Sequence, residues 1–327
     1  MPPSPPDFGF ASFSLVSPLM SAIKRAGFKT PTDLQHAAIP HVLNGEDVLV
    51  RAATGSGKTA AFVLPLLHAM NTKQFNAADR RSGNANPAPR GKTPSVKVLV
   101  LVPTRELAVQ IGEVFQQFSG GLDPRPTCQS VYGGVKINPQ MMALRGGTDI
   151  LVTTPGRVLD LAEHNAVKFH GLQALIVDEA DRMMKGDFED EIKRIIALLP
   201  NGRQNLMFTA TFPDDLRPIV QQMMNSPTII NMDETREETT LDQRVLTVNG
   251  STKNDLLAYL LKENDWQQVL IFCSAKRTCD NLAIKLGKRG IDTTVMHGNR
   301  EQSARLAALR HFKAGDTRIL IATDVAA

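Results

Sequence analysis

Residues 47–59 read DVLVRAATGSGKT. The apolar run Val48–Val50 gives way to a turn with two glycines, then to Lys58 and Thr59, which open TAAFVLPLLHAM. That order is strand, loop, helix. Gly55 and Gly57 let the backbone of Ala52, Ala53, Thr54, Gly55, Ser56 and Gly57 curl so that its amides converge on phosphate oxygens. The helix N-terminus adds positive potential. Lys58 is placed to reach the β- and γ-phosphates, and Thr59 to offer a hydroxyl to Mg²⁺. The general pattern begins with glycine, where this chain has Ala52. The stretch predicts a site for a nucleoside triphosphate and Mg²⁺.

Such a loop needs a parallel sheet behind it, and the flanking sequence supplies one. Apolar runs recur at 47–52, 96–103, 148–155, 173–180, 204–211 and 227–232. Continuous rather than alternating apolarity predicts strands covered on both faces, hence a parallel sheet. Between two of them FEDEIKRIIALLP places Ile192, Ile195, Ile196 and Leu199 on one helical stripe. The fold class is α/β, with a first domain at 1–232, an acidic linker at 233–243 and a second α/β domain at 244–327. The second domain has apolar runs at 267–275, 293–298 and 318–324.

Composition narrows the partners. Hydrophobic content is 42% and charged content 21%, the profile of a globular protein. The longest aliphatic run, Val98–Val102, is far short of the roughly 20 residues a membrane span needs. The first 23 residues hold no Lys or Arg, so a secretory start is not expected and the expected setting is cytoplasmic, away from membranes. Cys128, Cys273 and Cys279 match no zinc spacing. Aromatic content of 5% disfavours a base-stacking sheet for nucleic acid. The net charge of +4 gathers in the Asn-, Pro- and Gly-rich segment 71–97, with six basic residues against Asp79. This reads as a disordered basic loop, centred on 71–95, either solvated or touching phosphate.

A nucleoside triphosphatase also needs a carboxylate on the metal side and a group that orients water. LIVDEAD (175–181) offers both at the end of an apolar run. Asp178 is the candidate metal-side acid, and Glu179 the candidate for positioning the attacking water. Lys58, Asp178 and Glu179 are the expected catalytic residues.

The motifs GFKTPTDLQ (27–35), AATGSGKT, PTRELA (103–108), Gly133–Gly134, TPGR (154–157), DEAD (178–181) and TAT (209–211) occur in the order found in DEAD-box RNA helicases. LIFCSA (270–275), HGNREQSAR (297–305) and ATDVAA (322–327) continue the resemblance almost to the end of the chain. INPQMM, WQQVL and HGN most resemble the bacterial RhlE-type branch. The resemblance implies two RecA-like domains that close on ATP and one RNA strand. It implies that Gln35 reads the adenine edge, as side-chain amides can. Phe10 would stack on adenine, and Phe28 belongs to the same site. Thr104, Arg105, Gly133, Gly134, Thr154, Pro155, Gly156 and Arg157 would line the RNA path, with Thr323 in the second domain. Backbone-centred contacts of that kind carry little sequence information. Asp181, Thr209 and Thr211 would couple the ATP state to the RNA grip, through a bond from Thr209 to Asp181. The setting implied is ribosome assembly, RNA turnover or growth in the cold.

In that family ATDVAA leads on to further strands and to arginines facing the γ-phosphate. The second domain is therefore expected to be incomplete and the chain to be cut within this motif, with Ile319–Ala322 left uncovered. The expected function of the whole protein is ATP-dependent opening of short RNA duplexes or remodelling of ribonucleoprotein, while the 327-residue chain as it stands is expected to bind ATP with little turnover. A non-catalytic ATP-dependent RNA clamp or scaffold is the alternative.

Overall fold

A computed structural model describes residues 9–72, 95–183, 188–213, 216–232 and 242–323. Most of the basic loop, of the linker and of the last motif thus lies outside the described residues. The chain divides into two compact units, Met1–Glu238 and Thr239–Ala327.

In the first unit seven parallel strands form one sheet. They are β1 (Val48–Arg51), β2 (Val98–Leu101), β3 (Cys128–Val131), β4 (Ile150–Thr153), β5 (Ala174–Val177), β6 (Gln204–Thr209) and β7 (Thr228–Asn231), in spatial order β3-β4-β2-β5-β6-β1-β7. The apolar runs of β1, β2, β4, β5 and β6 are continuous because each of these strands feeds two cores. Val48, Val50, Val98, Val100, Ile150, Val152, Ala174, Ile176, Leu206 and Phe208 face one side. Leu49, Leu99, Leu101, Leu151, Leu175, Val177 and Met207 face the other. Helices α1 (Ser17–Arg25), α2 (Asp33–Leu43), α3 (Lys58–Asn71) and α4 (Arg105–Ser119) cover the first face. On the second lie α5 (Ile137–Leu144), α6 (Pro155–Glu163), the short α7 (Ala180–Met183), α8 (Phe188–Leu198) and α9 (Leu216–Met223). Ile192 and Ile195 of α8 are fully buried there, as the stripe requires.

The strand order sorts the motifs. Along the chain they interleave, but at the carboxyl edge of the sheet they separate. The ends of β5, β6 and β1 carry DEAD, TAT and the phosphate loop. The adjacent ends of β3, β4 and β2 carry Gly133–Gly134, TPGR and PTRELA. Ligands of open α/β sheets bind at this edge. Sequence reasoning missed β3, whose residues CQSV lack an apolar run and pair only with β4 at the sheet's margin.

The second unit has α10 (Lys253–Glu263), β8 (Val269–Cys273), α11 (Lys276–Gly287), β9 (Thr294–Met296), α12 (Gln302–Ala314) and β10 (Ile319–Thr323). Its parallel sheet runs β8-β10-β9. Here one expectation is overturned. Ile319–Ala322 are not uncovered: β10 is central and buried along its length. Within the sheet, the exposed large apolar side chains are on edge strand β8, where Val269, Ile271 and Cys273 pack inward while Leu270 and Phe272 are about half exposed.

Candidate functional site

Gly55 and Gly57 have φ of +83° and +89°, backbone that glycine adopts without steric cost. A Cβ on Gly57 would stand 2.5 Å from Gln35 Nε2 and 3.0 Å from Thr32 Oγ1. The closeness comes from three hydrogen bonds. Thr32 Oγ1 donates to Ser56 O (2.8 Å), Gln35 Nε2 donates to Gly57 O (3.2 Å), and Gln35 Oε1 accepts from Thr32 N (3.1 Å). The capping box that starts α2 thereby also ties α2 to the loop. The loop in turn wraps its own lysine: Lys58 is buried, and its Nζ donates to Ala52 O at 3.1 Å.

Beside the loop lies a cleft of about 400 Å³, within the size range of small-molecule sites. Phe28, Gln35, Thr54, Gly55, Gly57, Lys58, Thr59 and Ala60 line it together with Asp178 and Glu179. Helix α4 contributes Leu107, Gln110, Val114, Gln117 and Phe118. Sequence reasoning missed these; their helical spacing in RELAVQIGEVFQQF was the available signal.

Phe10 is placed differently from expectation. Its ring is 3% exposed and lies against Phe28, with centroids 6.2 Å apart and planes at 27°. Phe28 is 40% exposed and lines the cleft. The ring open to the cleft is Phe28, and Phe10 backs it, because the 3-10 turn Phe10–Phe13 packs into the core. The Gln35 amide is engaged at both ends, by Thr32 and by Gly57, and keeps a second N–H and a second lone pair for a further partner.

Asp178 directly follows β5 and is 5% exposed. Burial pushes its carboxyl up to about 6, the Lys58 charge works against this, and the neighbouring Glu179 and Asp181 add to it. Glu179 N donates to Asp178 Oδ1 at 3.0 Å. Glu179 itself has φ +53°, a left-handed conformation that costs a non-glycine residue about 1–3 kcal/mol and often marks functional sites. Its carboxylate meets Arg182 at 2.9 Å. No cluster of three His, Cys, Asp or Glu groups able to hold a metal occurs among the described residues. The donor set does fit Mg²⁺ brought in with phosphate: the Thr59 hydroxyl and a buried carboxylate raised by burial, with phosphate oxygens and water completing the shell.

The expected link from Thr209 to Asp181 is replaced by another. Asp181 Oδ2 accepts from Thr211 N (3.0 Å) and Thr211 Oγ1 (2.8 Å). Thr209 ends β6 fully buried, and its hydroxyl donates to Thr211 O at 2.5 Å. It shapes the turn that aims Thr211.

On the neighbouring strand ends, Thr104 caps α4, its Oγ1 accepting from Leu107 N at 3.3 Å. The Arg105 guanidinium occupies the space where a side chain at Gly134 would stand, and Gly134 has φ +73°. Gly133 N donates to Thr154 Oγ1 at 3.4 Å. Pro155 opens α6, and Gly156 faces Glu191 across a gap that a Cβ would narrow to 3.1 Å. Arg157 was expected to offer charge to a ligand. It is instead 5% exposed, donating from Nη1 to Gln140 Oε1 (2.9 Å) and from Nη2 to Val135 O (2.8 Å), with Nε 3.4 Å from Asp160. In the second unit Thr323 ends β10, buried, its hydroxyl without a partner among the described residues.

A parallel sheet with a phosphate loop after β1 and paired acids after β5 defines a RecA-like nucleotide-binding fold. The chain belongs to the DEAD/DEAH box helicase family: that family's model matches residues 32–219, and the helicase conserved C-terminal domain matches 252–327. It is 37% identical to the DEAD-box ATP-dependent RNA helicase CshA of Streptococcus pneumoniae over 97% of this chain and 57% of that protein. It is 36% identical to the ATP-dependent RNA helicase DeaD of Escherichia coli over 97% of this chain and 48% of that one. The chain thus spans about half the length of these relatives. Among solved structures it resembles S. cerevisiae Dbp5 bound to RNA and ADP BeF3, with TM-score 0.73 and 25% identity over 97% of this chain and 76% of that one. Among the described residues no helix is long and apolar enough to cross a membrane.

Proposed function

We propose that this protein is an RNA-stimulated ATPase that opens short RNA duplexes or remodels ribonucleoprotein, with Mg²⁺-ATP driving closure of domains 1–232 and 244–327. The observation that carries the reading is the cleft that gathers Lys58, Thr59, Asp178 and Glu179 from two separate motifs. Lys58 meets the β- and γ-phosphates, Thr59 and Asp178 hold the metal that arrives with them, and Glu179 orients water. Phe28 covers the base, and Gln35 links base recognition to the loop. Thr104, Arg105, Gly133, Gly134, Thr154, Pro155 and Gly156 form the RNA-facing edge of the first domain, while Arg157 holds that edge from behind. Thr323 contributes from the second domain. Contacts of this type favour backbone over sequence, so RNA is bound with little sequence preference, in ribosome assembly or RNA turnover in the cytoplasm.

Phosphate release measured with and without single-stranded RNA tests the reading, with Lys58→Ala as control. RNA-stimulated release that Lys58→Ala abolishes is the expected result. In the full-length protein, ATP-dependent RNA binding without turnover would mean a clamp, and displacement of a short duplex strand separates a helicase from a simple ATPase.

A further inference from the structure

The Gly133–Gly134 turn is held in front by Gln140, a side chain to which the sequence reading gave no role, and behind by Arg157, which Gln140 itself engages. Gln140 lies on α5, seven residues after Gly133. Its Oε1 accepts from Tyr132 N and its Nε2 donates to Tyr132 O, both at 3.2 Å. Tyr132 directly follows the sheet's edge strand β3, so the amide side chain behaves as one further residue of a β-ladder and satisfies both backbone groups of the residue before the turn. The same Oε1 accepts from Arg157 Nη1 at 2.9 Å. Arg157 Nη2 reaches Val135 O, the residue after the turn, at 2.8 Å. Gln140 and Arg157 therefore fix the chain immediately before and after the two glycines.

The orientation of the Gln140 amide is determined by its partners. Two donors converge on Oε1 and one carbonyl faces Nε2; a flipped amide would set its NH₂ against both donors. A carboxylate in its place would keep both acceptor bonds and lose the donor to Tyr132 O. An aliphatic residue would lose all three bonds and leave the Arg157 guanidinium, 5% exposed, short of an acceptor. The turn so fixed has one half-buried and one exposed glycine, with the Gly134 backbone at φ +73°. An exposed glycine, Gly134, held in place by its neighbours suits close approach by a phosphate group.

We propose that Gln140 is a positioning residue for RNA binding, presetting the Gly133–Gly134 turn through Tyr132 and Arg157. This rests on the RNA-binding reading above. Gln140 is not among the residues lining the nucleotide cleft, so its effect falls on RNA and not on ATP. It carries no charge, so it changes affinity without changing the number of counterions that RNA releases.

The test uses Gln140→Leu and Gln140→Glu in the protein, with a fluorescent single-stranded RNA, a non-hydrolysable ATP analogue and the RNA-stimulated ATPase. Gln140→Leu is expected to raise the KM for RNA about 10-fold, consistent with loss of a hydrogen bond to a charged group. ATP affinity should hold within 2-fold, kcat at saturating RNA should change little, and the salt dependence of RNA binding should keep its slope. Gln140→Glu is expected to fall between, at about 3-fold. An unchanged RNA KM in Gln140→Leu overturns the proposal. So does an equal loss of ATP and RNA affinity in either variant, which would mark a purely structural role. If Gln140→Leu does not fold, Gln140→Glu decides by the same criteria. Wild-type protein that binds no RNA would instead refute the RNA-binding reading itself, which separates the two failures.

Discussion

The Asp181 carboxylate accepts two hydrogen bonds from Thr211, from its backbone N at 3.0 Å and from its hydroxyl at 2.8 Å. The last acid of DEAD, after β5, is thereby joined to the last residue of TAT, after the neighbouring β6. The link runs between the nucleotide side of the sheet edge and the segment leading away from it.

Thr211→Val keeps the shape and the backbone bond but removes the hydroxyl. A hydrogen bond to a charged group contributes about 1.5–3 kcal/mol. ATP affinity is expected to stay near normal while RNA stimulation of turnover falls about 10-fold or more. Parallel titrations with ATP and with RNA check it; full RNA stimulation would show that the backbone bond suffices.

Glu179→Gln should retain nucleotide binding and slow hydrolysis by at least about 100-fold, the usual contribution of a group handling the proton of an attacking water. Arg182 loses its partner carboxylate at 2.9 Å, a partly exposed pair contributing little to stability. Single-turnover hydrolysis with a parallel thermal melt separates the two effects, and near-normal turnover removes Glu179 from its proposed role.

Two phenylalanines should behave oppositely. Phe28→Ala is expected to weaken ATP binding with a small change in stability, since its ring is 40% exposed. Phe10→Ala removes a ring buried in the core and should cost about 3–5 kcal/mol of stability. Urea melts and nucleotide titrations on both variants decide; a stable Phe10→Ala protein with lost ATP affinity would restore Phe10 to the base-binding role.

Asp149 stitches together the starts of three strands. Its Oδ2 accepts from Thr127 N (2.9 Å) and Thr127 Oγ1 (2.8 Å), before β3, and its Oδ1 meets Lys97, before β2, at 2.9 Å. Burial works against the charged carboxylate, but bonds from Lys97 and Thr127 outweigh it and hold the pKa below the ordinary value. A pKa lower in the folded than in the unfolded chain gives stability that is present above about pH 4 and lost as pH falls through the folded value. Asp149→Asn should cost about 1–2 kcal/mol at pH 7, mainly through the Thr127 bonds because Lys97 is half exposed. It should also flatten the acid limb. Urea midpoints of wild type and variant between pH 3 and pH 7 provide the measurement, and parallel acid limbs would exclude this origin.

Much of this protein is local chemistry and so can be read from the chain. Strand, glycine turn and Lys-Thr helix start are adjacent residues, and continuous aliphatic runs require a sheet covered twice. Those two facts determined the α/β class, the phosphate loop and the pairing of acids with it. The tertiary structure decided what depends on neighbours distant in sequence. β3 is a strand only because β4 offers it a partner, which the polar CQSV could not announce. Arg157 looks like free charge in TPGR, yet Gln140 and Val135 bury it. Thr209 and Thr211 differ by two positions, and only the turn after β6 selects which one meets Asp181. Phe10 and Phe28 are both aromatic, and packing alone places one behind the other. In each case the residue's chemistry is plain in the sequence, but its direction is set by long-range packing, and direction determines what the residue can touch.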